Sequence, residues 1–257
     1  MSVPFRTDRQ NPIGFAAPHW LCERMAARTP AGNRLLQLLS PQDRALLAAD
    51  LVPIDLAVRD SFERPNRRIE DVVFPVTGVA SVVAEHRNGQ RIEIGLVGCE
   101  GMSGTAVVLG GDRSPHATYI QLAGAGKRIP VAALRKAMEQ SRSLQGVLLR
   151  YVQAFMVQTA HTAIANARAS LVERLARWLL MAHDRVPGDA LSLTHEFLSL
   201  MMAVRRAGVT ESLQKFEDLQ LIRCGRAEIT VLDRKGIEKI ARQYYGTPEA
   251  EYRRLMR

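Results

Sequence analysis

The sequence predicts an α+β fold: an N-terminal β-roll of jelly-roll type, one long helix, and a C-terminal winged helix-turn-helix domain. Three observations carry this. Between Leu51 and Ile129, short apolar runs alternate with Gly, Pro and Asn turns, the pattern of an all-β unit. After Pro130 the apolar spacing becomes helical and persists through one long stretch, Leu144–Ala167. Downstream, two short helical patterns joined by a tight turn lead into an alternating strand, Glu228–Leu232.

Composition fits such a chain. It has 257 residues, 47% hydrophobic and 24% charged, which suits one or two globular domains and excludes wholesale disorder. No apolar run is long enough for a membrane-spanning helix. Pro4, Arg6, Asp8 and Arg9 precede no signal-type apolar segment, so a cytoplasmic location is expected and no membrane partner. Cys22, Cys99 and Cys224 are scattered and His is sparse, so no metal site, iron–sulfur cluster or other cofactor is expected. The net charge of +9 permits an acidic partner. From 169 to 257 there are 15 basic and 12 acidic residues, so nucleic-acid binding must rest on where individual cations stand.

Residues 1–32 read as a tail, with a short helix around Trp20–Ala27. Residues 33–140 form the β domain. It opens with the helical cluster Leu35, Leu36, Leu38 and Leu39, then Ser40-Pro41-Gln42-Asp43, a strong helix start. Strands are expected at Val72–Phe74, Val79–Ala84, Arg91–Val97, Ala106–Leu109, Ala117–Leu122 and Lys127–Ile129, with Asn88-Gly89 as a type I′ hairpin turn. Val131–Gln140 is a short amphipathic helix. Residues 141–168 hold the long helix, whose Leu144, Leu148, Tyr151 and Phe155 follow steps of 4, 3 and 4. That is a coiled-coil seam, read as the dimer interface; packing on the chain's own β domain is the other reading. In residues 169–257, Ser170–His183 is a helix ended by Pro187-Gly188-Asp189. Thr194 caps the next, and a second begins near Arg205 and runs to Leu219.

An exposed recognition helix puts its N-terminal residues into the DNA major groove. Arg205 and Arg206 stand in that first turn, and arginine can bond bidentately to guanine O6 and N7. Thr210 and Gln214 follow on the same face; Lys215, Thr194, Arg223 and Arg226 are the phosphate candidates. A packed domain that binds no DNA is the bland alternative.

Several segments, in order, resemble the CRP/FNR family of bacterial transcription regulators: Phe74–Ser81, Gly98-Cys99-Glu100-Gly101-Met102-Ser103-Gly104, Arg174–Leu180, Arg205–Thr210, and Leu221-Ile222 with Ile229–Asp233. The resemblance covers about Asn33 to Gly246. It implies a cyclic-nucleotide-binding-like effector domain, a dimerisation helix and sequence-specific control of transcription. The implied partners are double-stranded DNA, a second copy of the chain and RNA polymerase. Arg206 falls where the family places a guanine-reading Arg; the neighbouring Glu of many members is Ala207 here, and a further basic position is Glu211. The family's phosphate cassette implies Glu100, Gly101, Arg113 and Ser114 as effector-pocket candidates. Arg113 is displaced by about two residues from the cassette position, which falls near Pro115, so a cyclic nucleotide is not expected and the effector is unknown. No nucleophile elbow, P-loop, HExxH or dinucleotide fingerprint is present, so no enzyme is expected. The competing function is a small-molecule sensor or interaction protein of the same fold without DNA binding.

Overall fold

The computed structural model describes residues 32–257; the helix expected around Trp20–Ala27 lies outside them. The chain enters through α1 (Arg34–Gln37) and α2 (Pro41–Ala48). Asn33 caps α1 through Oδ1, which accepts from the Leu36 N–H, while its Nδ2 donates to the carbonyls of Pro75 and Gly101, each at 2.8 Å. Ser40 caps α2, with Pro41 in its first turn where the missing N–H costs nothing.

Seven strands follow: β1 (Val52–Leu56), β2 (Ser61–Glu63), β3 (Asp71–Pro75), β4 (Val79–Glu85), β5 (Arg91–Val97), β6 (Ala117–Leu122) and β7 (Gly124–Pro130). They form two antiparallel sheets, ordered β1-β7-β3 and β2-β6-β4-β5. Leu56, Val73, Ala80, Val82, Val97 and Ile120 form one buried cluster contributed by both sheets. The β4–β5 hairpin turns through residues 86–90, with Gly89 at φ 81° and no positive φ at Asn88. A two-residue type I′ turn needs positive φ at both central residues, so the expected turn is replaced by a longer one.

The strand expected at Ala106–Leu109 is instead a helical turn, α3 (Thr105–Val108). Gly104 at φ 72° bends the chain out of the extended region. The turn buries Val107 and Val108 in a core shared with the following helices, and that burial overrides the β preference of valine.

Next come α4 (Val131–Gln140) and α5 (Arg142–Arg168), joined at Ser141, which caps α5. The expected dimer seam on α5 is corrected here. Leu144, Leu148 and Tyr151 are buried in the chain's own core with Phe74, Met102 and Leu134, and Phe155 lies half-buried against Gly95 of β5. Leu144, Leu148 and Tyr151 thus follow the other reading, packing on the chain's own β domain. Gln158, one step on, clamps β5: its Oε1 accepts from the Leu96 N–H at 2.7 Å and its Nε2 donates to the Leu96 carbonyl at 3.2 Å.

The C-terminal part begins with α6 (Leu171–His183), started by a reciprocal capping box between Ser170 and Glu173. Then come β8 (Ala190–Leu191), α7 (His195–Met202), α8 (Arg206–Asp218), β9 (Ile222–Gly225) and β10 (Glu228–Val231). The three strands form one antiparallel sheet, ordered β8-β10-β9. Beyond the wing, α9 (Arg234–Ala241) and α10 (Thr247–Leu255) complete the chain, separated by a 3-10 turn at Arg242–Tyr244.

The winged domain is docked on the β-roll. Its core includes Val79, Leu96 and Leu122 from the four-stranded sheet. Trp178 of α6 donates its indole N–H to Glu93 of β5 at 2.7 Å, and Arg185 pairs with Glu100 at 2.8 Å. α10 returns to α5, where the Tyr252 hydroxyl donates to the Glu100 carbonyl at 2.7 Å and Met256 joins the core around Tyr151.

Candidate nucleic-acid interface

The helix-turn-helix is assembled by local chemistry. Thr194 caps α7, its hydroxyl accepting from the Phe197 N–H at 3.1 Å, and Glu196 places negative charge at the positive end of the helix. Ala203 at φ 52° ends α7 in the left-handed region, and its N–H and that of Val204 close onto the Ser199 and Leu200 carbonyls. Arg174 of α6 anchors this turn by donating to the Met202 carbonyl at 2.6 Å. Arg205 then occupies the N-cap of α8.

α8 buries Val209, Ser212, Leu213 and Phe216 against the domain core. Its other face is exposed: Arg205, Arg206, Thr210, Gln214 and Lys215 all lie on it. Glu211 shares that face and offsets some of the positive potential. Gln214 is already engaged, donating to Asp218 at 3.0 Å. The wing turns at Ala227, φ 58°, and leaves Arg223 and Arg226 exposed. Thr194 is exposed, but its hydroxyl is occupied as a cap. Sequence reasoning missed His195: its Nδ1 lies 3.0 Å from the Thr210 hydroxyl and ties the first turn of α7 to the exposed face of α8. The only sequence signal was its place directly after the cap residue.

α8 stands near the β-roll. An open cleft of about 1,420 Å³ separates Arg91 and Tyr119 on the sheet from Phe197, Leu200 and Arg205 on the winged domain. Below it, Met201 sulfur receives hydrogen bonds from the Tyr119 hydroxyl and the Gln121 amide.

The four effector-pocket candidates are not brought together. Glu100 is committed to the winged domain through Arg185, at side-chain exposures of 12% and 8%. Gly101 lies under Tyr151, so close that a Cβ there would overlap the phenol. Tyr151 donates its hydroxyl to the Met102 carbonyl, and burial drives its pKa up. Arg113 is exposed beside Asp112 at 3.5 Å, and Ser114 accepts from the His116 N–H at 3.1 Å. Glu100 does border a cavity of about 420 Å³, together with Arg34, Arg185, Glu249 and Tyr252, but neither Arg113 nor Ser114 lines it.

The two thiols among the described residues, Cys99 and Cys224, are held protonated by burial. Burial pushes Cys224 up to about 11, assisted by the Glu217 carboxylate, and burial also raises Cys99. Among the described residues no cluster of His, Cys, Asp and Glu could hold a metal ion, and no helix is long and apolar enough to cross a membrane.

Residues 173–240 match the model of the Crp-like helix-turn-helix domain. Three solved structures share the fold over about three quarters of the chain. A crp/fnr-family protein from Eubacterium rectale aligns with a TM-score of 0.62 at 17% identity, covering 80% of this chain and 97% of that one. FixK2 from Bradyrhizobium japonicum gives 0.62 at 14%, covering 74% and 96%. The CRP-family transcriptional regulator TTHB099 from Thermus thermophilus gives 0.58 at 18%, covering 73% and 96%.

The chain has the CRP/FNR fold.

No curated protein sequence matches it. The Crp-like domain lies on α6–α9, so α8 is the second helix of a helix-turn-helix by match as well as by geometry. Its departures from the sequence pattern lie in the β-roll, where the segment resembling a phosphate cassette is engaged by the chain's own Tyr151 and Arg185.

Proposed function

We propose that the protein is a sequence-specific, non-enzymatic transcription regulator that reads palindromic DNA as a homodimer. The supporting observation is the exposed face of α8, where Arg205 and Arg206 stand at the N-terminus of a helix whose opposite face is fully buried. Arg206 reads guanine and Arg205 assists; Thr210 and Gln214 face neighbouring bases; Lys215, Arg223 and Arg226 neutralise phosphates. With its hydroxyl used as a cap, Thr194 offers phosphate the helix N-terminus instead.

The dimer forms through the outward face of α5. Leu149, Gln153, Met156, Ala160, Ala163 and Ala167 follow 4-3-4-3-4 spacing and are all exposed. Leu149 and Met156 are 41% and 64% exposed, which is costly for large apolar side chains unless a second copy covers them. Two α5 helices crossing on this stripe of alanines can approach closely, and the twofold axis sets two α8 helices about 34 Å apart on one DNA face. The docking of the winged domain on the β-roll is the route by which an effector would alter the spacing of those helices. RNA polymerase and a cytoplasmic location belong to the same reading.

DNA selection with purified protein at fixed salt, beside Arg206→Ala, tests it. Wild type enriches a palindrome, and the variant loses preference at one base pair per half-site while other positions hold. No enrichment by wild type, with or without cell extract, refutes DNA reading and leaves the sensor.

A further inference from the structure

His195 occupies the first turn of α7, next to the Thr194 cap, and its Nδ1 meets the hydroxyl of Thr210 at 3.0 Å. The contact joins the two helices of the helix-turn-helix on the side that carries Arg206 and Gln214. A threonine hydroxyl rotates freely and can donate or accept, so by itself it discriminates poorly among base edges. A fixed partner removes that freedom. In an imidazole the role of one nitrogen is set by the bond the other makes.

We propose that His195 is a specificity-determining residue, working as a relay between the DNA backbone and a base. The inference rests on the DNA-binding reading above. Nε2–H donates to a phosphate oxygen beside the N-terminus of α7, where the helix dipole already favours an anion. That contact holds the ring in the tautomer whose Nδ1 is an acceptor. Thr210 therefore donates its proton to Nδ1 and turns its lone pairs outward. An outward acceptor selects an exocyclic amino group, N6 of adenine or N4 of cytosine, over the acceptor edges of guanine and thymine. The relay places a requirement at one base pair per half-site, next to the one read by Arg206. His195 touches the backbone and Thr210 touches the base, so a residue with no base contact sets part of the operator sequence.

The test is DNA selection at pH 8 and fixed salt with wild type, His195→Ala, His195→Asn and Thr210→Val, each checked for an unchanged melting temperature. Wild type enriches adenine or cytosine at the Thr210 position. His195→Ala lowers that preference by about five- to tenfold, the worth of one hydrogen bond, and leaves the Arg206 position intact. Thr210→Val does the same. His195→Asn retains an acceptor at the δ1 position and restores the base preference, but it cannot reach the phosphate. Its affinity therefore falls across all sequences with its salt dependence unchanged, because the neutral imidazole displaces no counterion. Equal selectivity at that position in wild type and His195→Ala overturns the relay. So does a wild-type preference for guanine or thymine there. A wild type that enriches no palindrome overturns the DNA-binding reading and the relay with it, whereas a palindrome indifferent to His195 removes the relay alone.

Discussion

Glu93 is a carboxyl group in a place that disfavours its charge. It lies on β5 beneath the winged domain, 7% exposed, accepting from the Ser81 hydroxyl and from the indole N–H of Trp178. Burial raises its pKa from 4.5 to about 7; the Ser81 and Trp178 hydrogen bonds and the cations Arg177 and Arg185 pull the other way without cancelling the effect. The folded state thus holds this proton more tightly than the unfolded chain. Its contribution to stability is full below pH 4.5 and is lost as the pH rises through about 7. The whole shift corresponds to about 3 kcal/mol, most of which falls between pH 5 and pH 8. Glu93→Gln keeps an Oε1 acceptor for Trp178, turns its amide N–H to the Ser81 hydroxyl oxygen, and cannot ionise. Denaturant unfolding at pH 5 and pH 8 should show wild type losing about 2–3 kcal/mol relative to Glu93→Gln, with Trp178 fluorescence following the same step. Parallel pH curves for the two proteins would refute the reasoning, because they would mean that Glu93 is equally easy to ionise folded and unfolded.

Two further outcomes follow from the same geometry. Glu100→Gln strands the buried Arg185 guanidinium without its counter-charge and should cost about 3–5 kcal/mol, read as a fall in denaturant midpoint. A cost under about 1 kcal/mol would mean the pair is solvated. Met156→Glu with Ala163→Glu on the exposed face of α5 should give a monomer in sedimentation with the melting temperature of the folded protomer largely retained, whereas Leu148→Glu, on the buried face, should prevent folding. A dimer that survives the first pair places the interface elsewhere.

What was legible in the sequence was what neighbouring residues decide. Ser40-Pro41, Ser170 with Glu173, and Thr194 each announce a helix start because a cap bonds an N–H three residues away. The helix-turn-helix could be read for that reason, and its Arg205 and Arg206 are exposed in the structure. What failed depends on partners far along the chain. Ala106–Leu109 has strand composition, but it has no strand to pair with and turns over Gly104 into a core built by α4 and α5. On α5 two faces have heptad spacing. The one with Leu144, Leu148 and Tyr151 is the more apolar, and for that reason the β-roll takes it. The outward stripe is half alanine, which hydropathy alone does not distinguish from a solvated face. The placement of the effector candidates was not legible either, since no local pattern shows that Arg185 would claim Glu100 or that Tyr151 would lie over Gly101. His195 escaped notice because its partner, Thr210, is 15 positions away on another helix.

The return of α10 to the β-roll bears on how this protein can be dissected. Met256 sits in the same core as Phe74 and Leu134, and Tyr252 is bonded to the loop at Glu100. A cut at residue 169 would therefore not release an intact N-terminal half. It would leave a notch beside Tyr151, open to water and lined by side chains that now touch Met256 and Tyr252. Fragments prepared to study ligand binding in isolation would report on a surface the full protein never exposes. A separately added peptide spanning 246–257 is the reagent that would heal it, and the same site marks where an added appendage at the carboxyl end would be felt by the opposite half of the molecule.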